Sequence, residues 1–265
     1  MFSLTPVVRA LLITNVVVAF LTISNNQIAR PIVNEFGLHS FLSDQFNPIQ
    51  LLTHMFLHGN WGHIFSNMIG LVVFGPMLER QWGPRRFTFF YFFCGLGAAL
   101  LFSAINYYEM RDVYEAVRDY RLSPSFEHFS AFVDQYAGSY YDRIEPFIEK
   151  FSGFPRDAKN VHDSVAIINR VFTDQVDQPM VGASGAIFGV IMGFGLLFPN
   201  TQLFLLFPPI PVKAKYLVFF YGAYEVYSGI YQSSQDNVAH FAHIGGMLFA
   251  FILVKYWASQ RKTFY

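Results

Sequence analysis

The 265-residue chain has little of what most soluble domains depend on. Only 14% of its residues are charged, and formal net charge is zero. It has a single cysteine, Cys94, so no intrachain disulfide can form and thiol usage says nothing about compartment. Its basic residues do not cluster, which leaves no footprint for nucleic acid. The zinc-protease string HExxH is absent, and the stretches carrying His54, His58 and His240 lack the carboxylates of a metalloprotease. Neither a metal nor any other cofactor is expected. In place of charge stands apolar mass: 53% of the residues are hydrophobic and 19% aromatic, too apolar for an average soluble domain.

The charge that exists is unevenly spread. Residues 106–180 hold 8 of the 18 Lys/Arg and 13 of the 18 Asp/Glu. The rest contains six apolar stretches: Val7 to about Ser24, then roughly 63–78, 87–105, 184–198, 215–231 and 238–257. A bilayer core takes about 20 apolar residues of helix, so each is a candidate span, several of them short. Alternate connections hold Arg9, then Arg80, Arg85 and Arg86, then Lys213 and Lys215, then Lys255, Arg261 and Lys262. The opposite short connections hold Arg30 alone, and 232–237 hold none. This asymmetry puts both termini on the cytoplasmic side of a cell membrane. Segment 106–180 then lies outside, because long polar segments translocate largely regardless of charge.

That segment carries three helical stripes: Met110, Val113, Tyr114 and Val117; Ile144, Phe147, Ile148 and Phe151; Val161, Val165, Ile168 and Phe172. They predict short amphipathic helices resting on the membrane or on each other. The expected fold is all-α, one polytopic six-helix membrane domain over 1–265. A helical extracytoplasmic insertion at 106–180 separates its third and fourth spans.

Three motifs carry polar groups into the apolar stretches. They are His58-Gly-Asn-Trp-Gly-His-Ile-Phe-Ser-Asn67, Val181-Gly-Ala-Ser-Gly-Ala-Ile-Phe-Gly189 and Ala239-His-Phe-Ala-His-Ile-Gly-Gly246. His63, Ser184 and His243 each stand fourteen residues before an inner-end marker: Met77, Phe198 and Trp257. At about 1.5 Å per residue all three lie about 21 Å above the inner face. In a core of about 30 Å, that is roughly 9 Å below the outer one. A helix starting at Ser184 cannot reach the outer face. The chain above it, Val181-Gly-Ala183, is then irregular at membrane depth, which is tolerated only inside protein or beside a water-filled cavity.

A serine hydroxyl needs a base to become a nucleophile, and His243 is the candidate. No acidic residue shares its apolar stretch, so the expectation is a Ser–His pair rather than a triad. Phe188, one turn after Ser184, can pack under the imidazole. The helix start at Ser184 offers unpaired N–H groups. His63 and Asn67, four apart and so on one helical face, offer two more donors for an oxyanion. Gly185, Gly189 and Gly193 form one small-residue stripe, and Gly246 with Ala250 another, as close helix packing in membranes requires. His58 and His240 read as structural or hydrogen-bonding support. Glu225 reads as a buried acid paired with a neighbouring polar group. Tyr216, Phe219, Phe220, Tyr224 and Tyr227 either line a lateral opening or face lipid or core. Taken singly, each motif is weak: glycine-flanked serines are common in membrane helices, and a lone His or Asn often only bonds a neighbouring helix. Together, at matched depth, they specify one site.

His63-Ile-Phe-Ser-Asn67, Gly182-Ala-Ser-Gly185 and Ala242-His-Ile-Gly-Gly246 resemble, in order, the three signatures of the rhomboid intramembrane serine proteases. The resemblance covers about 30–105 and 180–257. It implies a six-helix fold, Ser184 as nucleophile, His243 as base, and His63, Asn67 and Ser184 at the oxyanion hole, with Gly182 in support. It also implies cleavage of membrane-anchored protein substrates, after a small residue, without metal or nucleotide. The family's frequent Trp-Arg pair is missing from the first loop, where Phe46-Asn-Pro-Ile-Gln50 stands. Two other classes compete. A catalytically silent rhomboid-like escort protein would lack the serine or the histidine. A transporter or channel would show internal repeats and ionisable residues along a through-path.

Overall fold

A computed structural model describes residues 3–204, 210–231 and 238–260. Arg261 and Lys262, used above for orientation, and the 232–237 connection lie outside them. The described helices are α1 Pro6–Ile23, α2 Asn26–Phe36, α3 Gln50–Thr53, α4 Trp61–Trp82, α5 Pro84–Leu122, α6 Phe126–Tyr136, α7 Tyr141–Gly153, α8 Ala158–Val176, α9 Ser184–Leu197, α10 Ala214–Ile230 and α11 His240–Gln260. Between α9 and α10 the strands β1 Gln202–Phe204 and β2 Pro211–Lys213 pair antiparallel, with Leu203 opposite Val212. Helix forms over all six apolar stretches. Four of the described helices, α1, α4, α5 and α11, are long and apolar enough to cross a membrane, and α9 is a shorter apolar helix.

The chain divides into two compact units. The first comprises residues 1–38, 47–103 and 179–265; the second, 39–46 and 104–178. The apolar run ending near 105 is not the end of a helix, because α5 continues through 39 residues to Leu122.

In the first unit, α9 and α11 meet along glycine. A Cβ added to Gly246 would collide with the carbonyl oxygen of Gly185, and one on Gly189 would sit 3.1 Å from the carbonyl oxygen of Gly246. Without side chains in the way, backbones approach closely enough for small side chains on the two helices to touch. Around this seam Leu71, Leu78, Phe87, Phe90, Tyr91 and Phe194 are buried. The start of α1 is closed from elsewhere in the sequence. Thr5 makes no side-chain cap bond, and the buried Glu79 of α4 accepts from the backbone N–H of Val7 and Val8, each at 3.0 Å. A carboxylate there satisfies donors that the helix itself cannot pair and meets the positive end of its dipole.

The second unit is built from amphipathic helices. The stripes read from sequence turn inward to one core except at Tyr114, which is exposed: Val113, Val117, Ile144, Phe151, Ile168 and Phe172 are buried together beside Phe129, Phe132 and Val176. Phe129 meets Phe147 edge-on at 5.4 Å, and Tyr120 shares a 2.6 Å hydrogen bond with Ser164. Ser125 caps α6 through the His128 N–H, and Asp157 caps α8 through the N–H groups of Lys159 and Asn160.

Candidate active site

The loop before α9 is held at two points. Met180 exchanges two backbone hydrogen bonds with Leu38, at 2.8 and 2.9 Å, and the Gly182 N–H donates to the His54 carbonyl at 2.9 Å. The buried His54 is itself tied by its Nδ1 to the Gln50 carbonyl at 2.8 Å. Gly182 has φ +133°, and a Cβ there would lie 2.7 Å from the His63 ring. Only glycine takes this conformation without strain, and only glycine leaves room for the imidazole. The loop therefore enters the helix at Ser184 in an irregular path, as the short fourth stretch requires.

Ser184 is the first residue of α9, and no side chain caps that end among the described residues. Its first N–H groups have no partner within the helix. Across the seam, His243 of α11 places Nε2 2.9 Å from the Ser184 Oγ. Phe188 lies flat against the imidazole, with ring centroids 4.1 Å apart and planes 7° from parallel. A cavity of about 590 Å³ is lined by Ser184, His243, Phe188, His63, Asn67 and their neighbours. The Asn67 side chain is buried, and its Nδ2 meets no hydrogen-bond partner among the described residues. It is an amide donor on a cavity wall, left for something the cavity can admit. His58 is buried with its ring edge-on to His63 at 5.1 Å, so its contact with the site is packing. Gly185 and Gly246 act at one remove, by letting α9 and α11 close.

One expectation is corrected. His243 does have an acidic partner: Glu225 of α10, 3% exposed, with Oε2 2.9 Å from the His243 Nδ1. The same oxygen lies 2.6 Å from the Nδ1 of His240, one turn before His243 on α11. The sequence held the signal, since Glu225 is the one acid in the apolar run of α10 and His240 and His243 share a helix face. The acid stands on a different helix from the histidine, so neither stretch shows the pairing by itself. These three side chains also have ligand atoms within 4.8 Å of one another, a set able to hold a metal ion. Tyr216, Phe219, Phe220, Tyr224 and Tyr227 of α10 are 51–67% exposed, so they do not form core.

The fold and this cavity define a class: a polytopic helical membrane protein with a serine and a histidine paired in a pocket between its helices. A sequence model of the Rhomboid domain matches residues 45–116 and 164–260, and the chain belongs to the rhomboid family. It is 27% identical over 214 residues to RHOMBOID-like protein 12, mitochondrial, of Arabidopsis thaliana, covering 80% of this chain and 46% of that protein. It is 38% identical over 52 residues to Rhomboid-like protein 11, chloroplastic, of the same plant, covering 20% of this chain and 19% of that protein. The chain thus spans less than half the length of either relative.

Proposed function

We propose that the protein is an intramembrane serine endopeptidase that cuts transmembrane proteins near the outer membrane face. The observation that carries this reading is the 2.9 Å approach of His243 Nε2 to Ser184 Oγ on the wall of a cavity also lined by His63 and Asn67. His243 takes the hydroxyl proton as the Ser184 oxygen bonds to the substrate carbonyl carbon. The tetrahedral oxyanion is met by the Ser184 N–H, His63 and the unpartnered Asn67 Nδ2. As the C–N bond breaks, His243 returns the proton to the leaving amine. Water, deprotonated by the same imidazole, then hydrolyses the acyl ester and restores the serine. Removing one donor of such a hole typically costs about 3–4 kcal/mol of transition-state stabilisation.

Presence of both Ser184 and His243 favours the enzyme over a silent escort protein. Six membrane spans are read from the six apolar stretches, and both termini cytoplasmic, in a cell membrane, from the distribution of basic residues. The relatives' names point to mitochondrial and chloroplast membranes, and membrane fractionation distinguishes these locations. Residues 106–180 are proposed as an extracytoplasmic insertion on the same sequence grounds.

A helical peptide bond is shielded by its own hydrogen bonds, and opening them in lipid costs several kcal/mol per unsatisfied group. Cleavage is therefore expected near the outer end of a substrate helix, beside helix-weakening residues. The experiment co-reconstitutes the protein with a transmembrane reporter bearing a Gly/Pro-weakened outer segment. Wild type is expected to cut it, Ser184→Ala to leave it intact, and a rigid poly-leucine reporter to resist. Equal cutting of the two reporters, or cutting by Ser184→Ala, would contradict the proposal.

A further inference from the structure

We infer that Glu225 is a positioning residue for His243, making the reactive array Ser184–His243–Glu225 with His240 as a second anchor. The inference rests on the hydrolase reading and goes beyond the Ser–His pair. Its basis is one carboxylate oxygen shared by two imidazoles: Glu225 Oε2 lies 2.9 Å from His243 Nδ1 and 2.6 Å from His240 Nδ1. Glu225, His240 and His243 are all buried. An ionised carboxylate only accepts hydrogen bonds. Both Nδ1 atoms must therefore carry hydrogen, and both donate to Glu225.

This fixes the tautomer of His243. With hydrogen on Nδ1, its Nε2 is bare, and that is the atom 2.9 Å from Ser184 Oγ. The other tautomer would place hydrogen on Nε2, donate it to the serine and be unable to accept the serine proton. The stacked Phe188 ring, 7° from parallel, fixes the plane of the imidazole but has no atom that chooses between its nitrogens. Glu225 makes that choice. It also places a negative charge against the imidazolium formed when the proton moves, where water is scarce and such pairing is strong.

His240 supplies the second donor. A buried carboxylate with one partner would be poorly satisfied. His240, three residues before His243 on α11, reaches the same oxygen, so one helix face grips the acid twice. A zinc ion would need each ligand atom at about 2.0–2.2 Å around it. The 2.6 and 2.9 Å separations are instead hydrogen-bond lengths between the ligand atoms themselves.

The test measures kcat and KM on the weakened transmembrane reporter with full-length protein in liposomes, comparing wild type, Glu225→Gln and Glu225→Asp. The amide of Glu225→Gln can turn its NH2 toward Nδ1 and hold the wrong tautomer. Its kcat is expected to fall about 10⁴-fold, the scale seen when a triad carboxylate becomes an amide, with KM nearly unchanged. Glu225→Asp keeps the charge and is expected to recover at least tenfold over Glu225→Gln. In a His243→Ala background, Glu225→Gln should cause no further loss, because Glu225 acts through that histidine. Glu225→Asp keeps the proposal testable if the Gln variant is poorly folded: a folded Asp variant no more active than Glu225→Gln would overturn it. Wild-type kcat in Glu225→Gln would overturn the inference and leave the hydrolase reading intact. So would a further loss in the His243→Ala background, which a merely structural clamp between α10 and α11 would produce. Activity abolished by a chelator and restored by Zn²⁺ would also overturn it, assigning the cluster to a metal. Folded wild type that cuts nothing would sink the hydrolase reading itself.

Discussion

The two units bury apolar side chains alike, but they meet their surroundings and pack their helices in opposite ways. In the first, α10 turns Tyr216, Phe219, Phe220, Tyr224 and Tyr227 outward, as suits lipid. In the second, the outward residues of α8 include Lys159, His162 and Arg170. The helices that bring Ser184 and His243 together join through glycine, where the absence of side chains is the fit. The second unit is filled by rings, with Phe129 and Phe151 fully buried. The contrast teaches that bringing two short polar side chains together from separate helices calls for close backbones, whereas a unit without such a pairing can rely on bulk.

Alanine is then the wrong residue in both units, for opposite reasons. The largest expected effect is from Phe129→Ala, which empties the centre of the second core and should cost about 3–5 kcal/mol. Hydrogen exchange over α6–α8 should rise sharply, with serine-probe labelling of Ser184 unchanged. Loss of labelling there would break the comparison by making the ring-filled unit part of the reaction centre. Next is Gly246→Ala, where one methyl group meets the Gly185 carbonyl. Overpacking of this kind costs about 1–3 kcal/mol. Here it should also slow labelling of Ser184, because it pushes α11 from α9. A Gly246→Ala protein that is as stable and as reactive as wild type would remove the glycine argument. The smallest effect is from Glu79→Gln, which weakens the two bonds closing α1 and should cost about 1 kcal/mol. Thermal unfolding in detergent measures it, and a loss no greater than that of an exposed surface change would show the cap to be incidental.

Much of this was legible in the sequence. Ser184, His243, His63 and Asn67 stand in apolar or glycine-rich stretches where polar groups are costly, so their presence advertises a site. The stripes of the second unit show because a helix buries every third or fourth residue. What escaped notice depends on contacts between stretches. Glu225 reads from the sequence as a buried, paired acid, but it lies eighteen residues from His243 on a different helix, and the packing of α10 on α11 supplies the partner's identity. Glu79 sits more than seventy residues from the helix end it closes. Helix α2 was hidden by Pro31 and its polar residues, and the hairpin of β1 and β2 by its brevity.

The most direct measurement is labelling of the liposome-embedded protein with a fluorophosphonate, with the adduct located by mass spectrometry. A water-accessible Ser184 activated by His243 predicts one adduct on Ser184 in wild type and none in His243→Ala. No adduct on wild type, or an equal adduct on His243→Ala, would contradict the account.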